Sequence, residues 1–162
     1  FEFDFEPLTA QLSWTFAIYA TAPLLLLVAL IAQPDEVKLR KWRNGMFRAI
    51  LIACASFVTW PSVSAPDVSE NATVSGLYQW VSLVTGRHNH FPSLHVALVV
   101  VSLSTLSTPF GVRERWLWAW GGTVIVSTVT THQHALPDVL GGIALALFVV
   151  TLSGIRNRLS PT

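Results

Sequence analysis

Residues 11–32 contain no Asp, Glu, Lys or Arg. Wound as a helix, a charge-free run of this length rises about 33 Å, enough to cross roughly 30 Å of hydrocarbon. Four further apolar runs follow, at about 46–60, 94–108, 116–131 and 139–155. Any one of them, taken alone, also fits a buried helix of a soluble protein. Five in 162 residues, separated by charged or proline-bearing connectors, predict an all-α integral membrane helical bundle, a single domain over residues 1–162. Composition agrees. Hydrophobic residues make up 52% and charged residues 12%, about half the charged share of a soluble domain, and the mean hydropathy is +0.53.

The connectors carry the orientation. Asp35 to Arg48 reads as a basic hinge, Pro61 to Pro66 as a helix stop, and 67–87 as a polar loop in which Gly76 to Val84 forms a short interfacial helix. Pro109 and Gly111 separate the third run from the fourth, and Pro137 separates the fourth from the fifth. With five spans, nine of the ten Lys and Arg residues fall on one side, leaving only Arg87 on the other. The positive-inside rule makes the basic side cytoplasmic. The expectation is therefore a protein of the plasma (inner) membrane with its C-terminus in the cytoplasm. Trp14, Trp60 and Trp80 then fall near the outer boundary, and Trp42, Trp116 and Trp118 near the inner one. A net charge of +1 gives no reason to expect nucleic acid, and the lone Cys54 cannot form an internal disulfide. The sequence sets no oligomeric state.

All five histidines lie in two clusters: His88, His90 and His95 in one, His132 and His134 in the other. Under this topology both face the extracytoplasmic side, where His95 opens the third run, His134 follows the fourth and Asp138 opens the fifth. Two imidazoles and a carboxylate at one depth are the minimum set for covalent phosphoryl transfer. One imidazole attacks phosphorus, the carboxylate fixes its tautomer, and the other protonates the leaving oxygen. The helix starts at 92–95 and 137–140 add backbone N–H donors suited to phosphate, and Ser93 adds a hydroxyl.

Phe91-Pro92-Ser93-Leu94-His95 resembles the Pro-Ser-Gly-His motif of the phosphatidic acid phosphatase type 2 superfamily. Ser127-Thr128, five residues, His134, three residues and Asp138 match the spacing of its Ser-Arg-x5-His-x3-Asp motif. Leu94 and Thr128 depart from it and resemble the branch containing inositol phosphorylceramide synthases and their bacterial relatives. The resemblance covers about residues 11–155. It implies a membrane-embedded lipid phosphate phosphatase or phosphotransferase working through a phosphohistidine, without metal or other cofactor. By it His134 is the nucleophile, Asp138 its orienting carboxylate, His95 the general acid and Ser93 a phosphate contact. Thr128 stands where the family has arginine, which leaves Arg87 and His132 as the cations for substrate binding. The family's first motif, Lys-x6-Arg-Pro, is not recognisable; Ser64-Ala65-Pro66 stands about where it should end. The family core commonly has six spans, so the expectation is that a first span is absent from this chain. The implied partners are a lipid phosphate substrate and membrane lipids.

Other readings compete. His88-x-His90 and His132-x-His134 with Asp138 carry donors for zinc or copper, which describes a metal-binding membrane protein. Against it, none of the runs holds an ionisable residue at mid-depth for an ion path. A structural membrane protein with a degenerate site is a third reading. Arg87 also fits a surface charge, His88 and His90 fit loop residues, and Asn71-Ala72-Thr73 fits a glycosylation sequon.

Overall fold

A computed structural model describes residues 12–33, 35–61, 91–106 and 112–155, and among these every regular element is helical. Arg87, His88, His90, the sequon and the interfacial segment 76–84 lie outside the described residues. A 3-10 turn (Ser13–Thr15) leads into α1 (Phe16–Tyr19) and α2 (Ala22–Ile31), followed by α3 (Glu36–Thr59), α4 (Leu94–Thr105), α5 (Val112–Thr130) and α6 (Leu136–Leu152).

The first apolar run is divided rather than continuous. Thr21 donates its hydroxyl to the Ile18 carbonyl at 2.6 Å, and Pro23 stands in the first turn of α2, where its missing N–H costs nothing. The basic stretch expected as a hinge is helical. Asp35 caps α3 by accepting the Lys38 N–H at 2.7 Å, and Glu36 pairs with Arg40 one turn on at 2.6 Å. Pro137 likewise lies inside α6, in its first turn, and the break before it falls at 131–135.

α4 is the centre of the bundle. Its buried residues, among them Val96, Val99, Val101 and Leu103, point in every direction, as expected for a helix apolar all round. One side of it packs with α3 and α6 through Ala49, Ala53, Val100, Leu145, Ala146 and Val149. The other side meets α2 and α5 through Ala22, Leu25 and Val124. Small residues set the spacing. A Cβ at Gly45 of α3 would stand 3.0 Å from Val101, and one at Gly121 of α5 would stand 2.4 Å from Leu103. The Ser93 N–H donates to the Asp138 carbonyl at 2.9 Å, which ties the start of α4 to the start of α6. These two helices therefore run parallel, with α3 and α5 antiparallel to both. The opposite end is closed by Lys41 on the Gly154 carbonyl and Arg48 on the Ser153 hydroxyl, both at 3.0 Å.

Hydroxyls on the helices turn inward on their own backbone. On α5 and just beyond it, Thr123, Ser127, Thr128 and Thr131 donate to the carbonyls of Trp120, Val124, Ile125 and Ser127 at 2.6–2.7 Å. The outer surface is apolar at Ile31, Phe47, Val58, Val126, Leu140 and Phe148, each more than half exposed. Among the described residues, no helix is long and apolar enough to cross a membrane. The physical reason is in the sequence. α3 is 24 residues long but carries Lys38, Arg40, Lys41, Arg43 and Arg48, α5 has Arg113-Glu114-Arg115 at its start, and α2, α4 and α6 have 10, 12 and 17 residues.

Candidate active site

The starts of α4 and α6, the end of α5 and the end of α1 meet at one end of the bundle. Ser93 is the N-cap of α4, fully buried, its Oγ accepting the Val96 N–H at 3.4 Å. This cap sets the first turn, and His95 stands within it. Close approach of α6 requires Gly142, where a Cβ would lie 2.5 Å from the Ser93 carbonyl oxygen. Gly141 does the same for the ring of Phe91, whose nearest atom would be 2.6 Å away.

α5 ends in a Schellman turn with histidine at the left-handed position. His132 has φ 56°, its N–H donates to the Val129 carbonyl at 3.0 Å, and the Gln133 N–H reaches the Thr128 carbonyl at 3.1 Å. The His134 N–H donates to the same Thr128 carbonyl at 3.0 Å. Reversal of the chain at His132 thus brings His134 back over the bundle, where it is buried. Thr128, expected only as a lost arginine, fixes this turn through its backbone.

Asp138 occupies the third position of α6, and its Oδ2 accepts the Ala135 N–H at 3.0 Å. Alanine has no acceptor to return the bond, so this is one half of a capping box. The same Oδ2 lies 3.7 Å from His134 Nδ1, an electrostatic contact longer than a hydrogen bond. The His95 and His134 rings are 6.1 Å apart between centroids. His95, His134 and Asp138, three of the residues picked out from sequence, therefore come together. Ser93 is the cap of the helix that carries His95, and His132 lies two residues before His134 and is half-buried. Arg87 lies outside the described residues.

The sequence reading missed Tyr19. It ends α1, is buried, and puts its hydroxyl 3.4 Å from His95 Nε2, with the rings 5.3 Å apart. The available signal was small: a polar-tipped aromatic inside an otherwise apolar run. Among the described residues, no group of three or more His, Cys, Asp or Glu side chains is arranged to hold a metal ion.

Fold and site together define an all-helical protein that gathers two histidines, a carboxylate and a phenol at one end of a bundle. A profile of the PAP2 superfamily matches residues 5–152, and the chain belongs to that superfamily. Phosphatase-type activity, as a phosphoric ester hydrolase or phosphotransferase, goes with that membership. No match was found among curated proteins or among solved structures.

Proposed function

We propose that the protein cleaves or transfers the phosphoryl group of a lipid phosphate through a phosphohistidine, with no metal, at the extracytoplasmic face of the inner membrane. The observation that carries this reading is the cluster of His95, His134 and Asp138 at the adjoining starts of two parallel helices.

Asp138 faces Nδ1 of His134, so Nε2 is the nitrogen left to attack. The carboxylate favours the tautomer with a proton on Nδ1 and stabilises the cation that forms as the N–P bond is made. As the P–O bond breaks, His95 gives its proton to the leaving oxygen. In the second half-reaction water, or an alcohol in its place, attacks phosphorus; His95 takes its proton and the N–P bond breaks. The rings are close enough for one small anion to touch both. An arginine is missing at Thr128, and the positive ends of the α4 and α6 dipoles supply the compensating field. Arg87 and His132 are the side chains proposed to add to it, with Ser93 contacting the phosphate.

Membrane residence is supported by the apolar residues on the outward faces of α2, α3, α5 and α6. Orientation is supported by charge: Lys38, Arg40, Lys41 and Arg43 lie at the end of the bundle opposite the histidines. Leu94 and the Gln133-His134 pair resemble the inositol phosphorylceramide synthase branch, which favours an alcohol acceptor alongside water.

The test compares two leaving groups. A lipid alkoxide needs a proton to leave; p-nitrophenolate scarcely does. General acid catalysis contributes about 10²–10⁴-fold. His95→Ala should lose roughly that much on dioleoyl phosphatidic acid and far less on p-nitrophenyl phosphate. His134→Ala should be inactive on both, with folding checked by gel filtration in detergent. An equal loss ratio for the two variants across the two substrates sinks the assignment of acid and nucleophile.

A further inference from the structure

We propose that Tyr19 is the positioning residue of His95, holding its Nε2 so that Nδ1 is the nitrogen that moves the proton. This rests on the phosphoryl-transfer reading above.

Among the described residues, Tyr19 is the side chain within hydrogen-bonding distance of His95. The phenol is buried at 6% exposure, its ring tilted against that of Phe16 at 5.6 Å and that of His95 at 5.3 Å. Its backbone is anchored on both sides to α5, the helix whose end carries His134. Before it, the Leu12 N–H donates to the Thr130 carbonyl and the Thr15 and Thr130 hydroxyls share a bond, both at 2.9 Å. After it, the Trp120 indole donates to the Thr21 hydroxyl at 2.8 Å. A buried phenol clamped at both ends and aimed at an imidazole is poorly explained by packing alone, because phenylalanine packs equally well without bringing a polar atom to be satisfied.

The chemistry follows from the roles. His134 has Asp138 to hold its non-attacking nitrogen, whereas no described carboxylate faces His95. A neutral phenol oxygen accepts an N–H from the imidazolium and from the neutral ring alike. With Nε2–H donated to Tyr19 throughout, the proton on Nδ1 goes to the leaving oxygen as the P–O bond breaks. Nδ1 then receives a proton from water as the N–P bond breaks, and the ring returns to its starting state. The 3.4 Å separation is long for a hydrogen bond and is of the kind that tightens when substrate binds.

Tyr19→Phe keeps both ring contacts and removes one oxygen. The expected result on dioleoyl phosphatidic acid is a roughly tenfold fall in kcat, on the order of one hydrogen bond, with KM little changed. On p-nitrophenyl phosphate, rates should stay within about twofold, because that leaving group scarcely needs the acid. Adding Tyr19→Phe to His95→Ala should cost nothing further, since the two act as a unit. A ¹⁵N-histidine spectrum of the wild-type protein in detergent, taken at a pH where His95 has lost its transferable proton and with its signal identified by loss in His95→Ala, should show the remaining proton on Nε2. Equal losses on both substrates, an additive double variant, or an Nδ1–H tautomer in the wild type each overturn the role. If the wild type hydrolyses both substrates, His134→Ala does not, and Tyr19→Phe matches wild type, the Tyr19 role falls while the reaction stands. A wild type inactive on every phosphate ester brings down both.

Discussion

Replacing Gly142 with alanine tests whether the joint between α4 and α6 holds the site together. The added Cβ would stand 2.5 Å from the Ser93 carbonyl oxygen and 3.0 Å from the Val96 Cβ. Ordinary C···O contacts begin at about 3.3 Å, so the start of α4 must retreat by roughly 0.8 Å. That movement stretches the 2.9 Å bond from the Ser93 N–H to the Asp138 carbonyl beyond hydrogen-bonding range. Overpacking costs about 1–3 kcal/mol and the lost bond about 1, while the better helix propensity of alanine returns about 1. The net is a loss of roughly 2 kcal/mol, a fall in Tm of about 4–8 °C. His95 moves with α4, and a displacement near 1 Å at a reacting group can cost on the order of 100-fold in rate. Gly122→Ala is the control. Nothing lies within 4 Å of its Cβ, so it should gain about 1 kcal/mol of helix propensity and leave activity intact. Thermal unfolding followed by tryptophan fluorescence, alongside lipid phosphate hydrolysis, measures both arms. Should Gly142→Ala track Gly122→Ala in stability and rate, the inferred close joint between the two helices is wrong.

Further outcomes are expected. His132→Gly relieves a left-handed backbone that costs an L-residue about 1 kcal/mol, so Tm should rise by roughly 2–4 °C. A simultaneous rise in KM for phosphatidic acid would mark His132 as a substrate contact, and an unchanged KM would confine it to the turn. Asp138→Asn should lower kcat on lipid phosphate and p-nitrophenyl phosphate alike, because a misoriented His134 attacks poorly whatever group leaves; activity should persist in EDTA and be inhibited by vanadate, whereas loss on chelation with recovery on zinc would favour a metal site. In a Cys54→Ala background, a cysteine at the exposed Leu136 should react with an impermeant thiol reagent on intact cells and one at the exposed Asn44 should not; the reverse pattern would turn the bundle over.

Much of the helical layout was legible because apolar runs and helices share a cause, the burial of apolar side chains with their backbone bonded internally. The boundaries were less so. Asp35-Glu36-Val37-Lys38 reads as a charged hinge by hydropathy but as a capped helix start by hydrogen bonding, and the capped helix is what forms. Pro137 reads as a break yet is well suited to a first helical turn. Of the candidate site, the meeting of His95, His134 and Asp138 was readable from their places at the ends of apolar runs. Tyr19 was not, because it is 76 residues from His95 in the chain and no local pattern surrounds it. Nor was the left-handed His132, since glycine, not histidine, is the usual signal for that turn.

The inward-turned hydroxyls of α5 bear on how this chain partitions between water and lipid. Hydropathy treats each Ser and Thr as a group that surrenders its water bonds when buried, a loss of about 2–7 kcal/mol if nothing replaces them. Thr123, Ser127, Thr128 and Thr131 have already replaced them, each on a carbonyl three or four residues back along its own chain. Transfer into an apolar medium then desolvates a satisfied hydroxyl, and most of that loss is absent. α5 is effectively a more oily cylinder than its letters indicate, and its affinity for lipid should exceed what a residue-by-residue sum assigns to it.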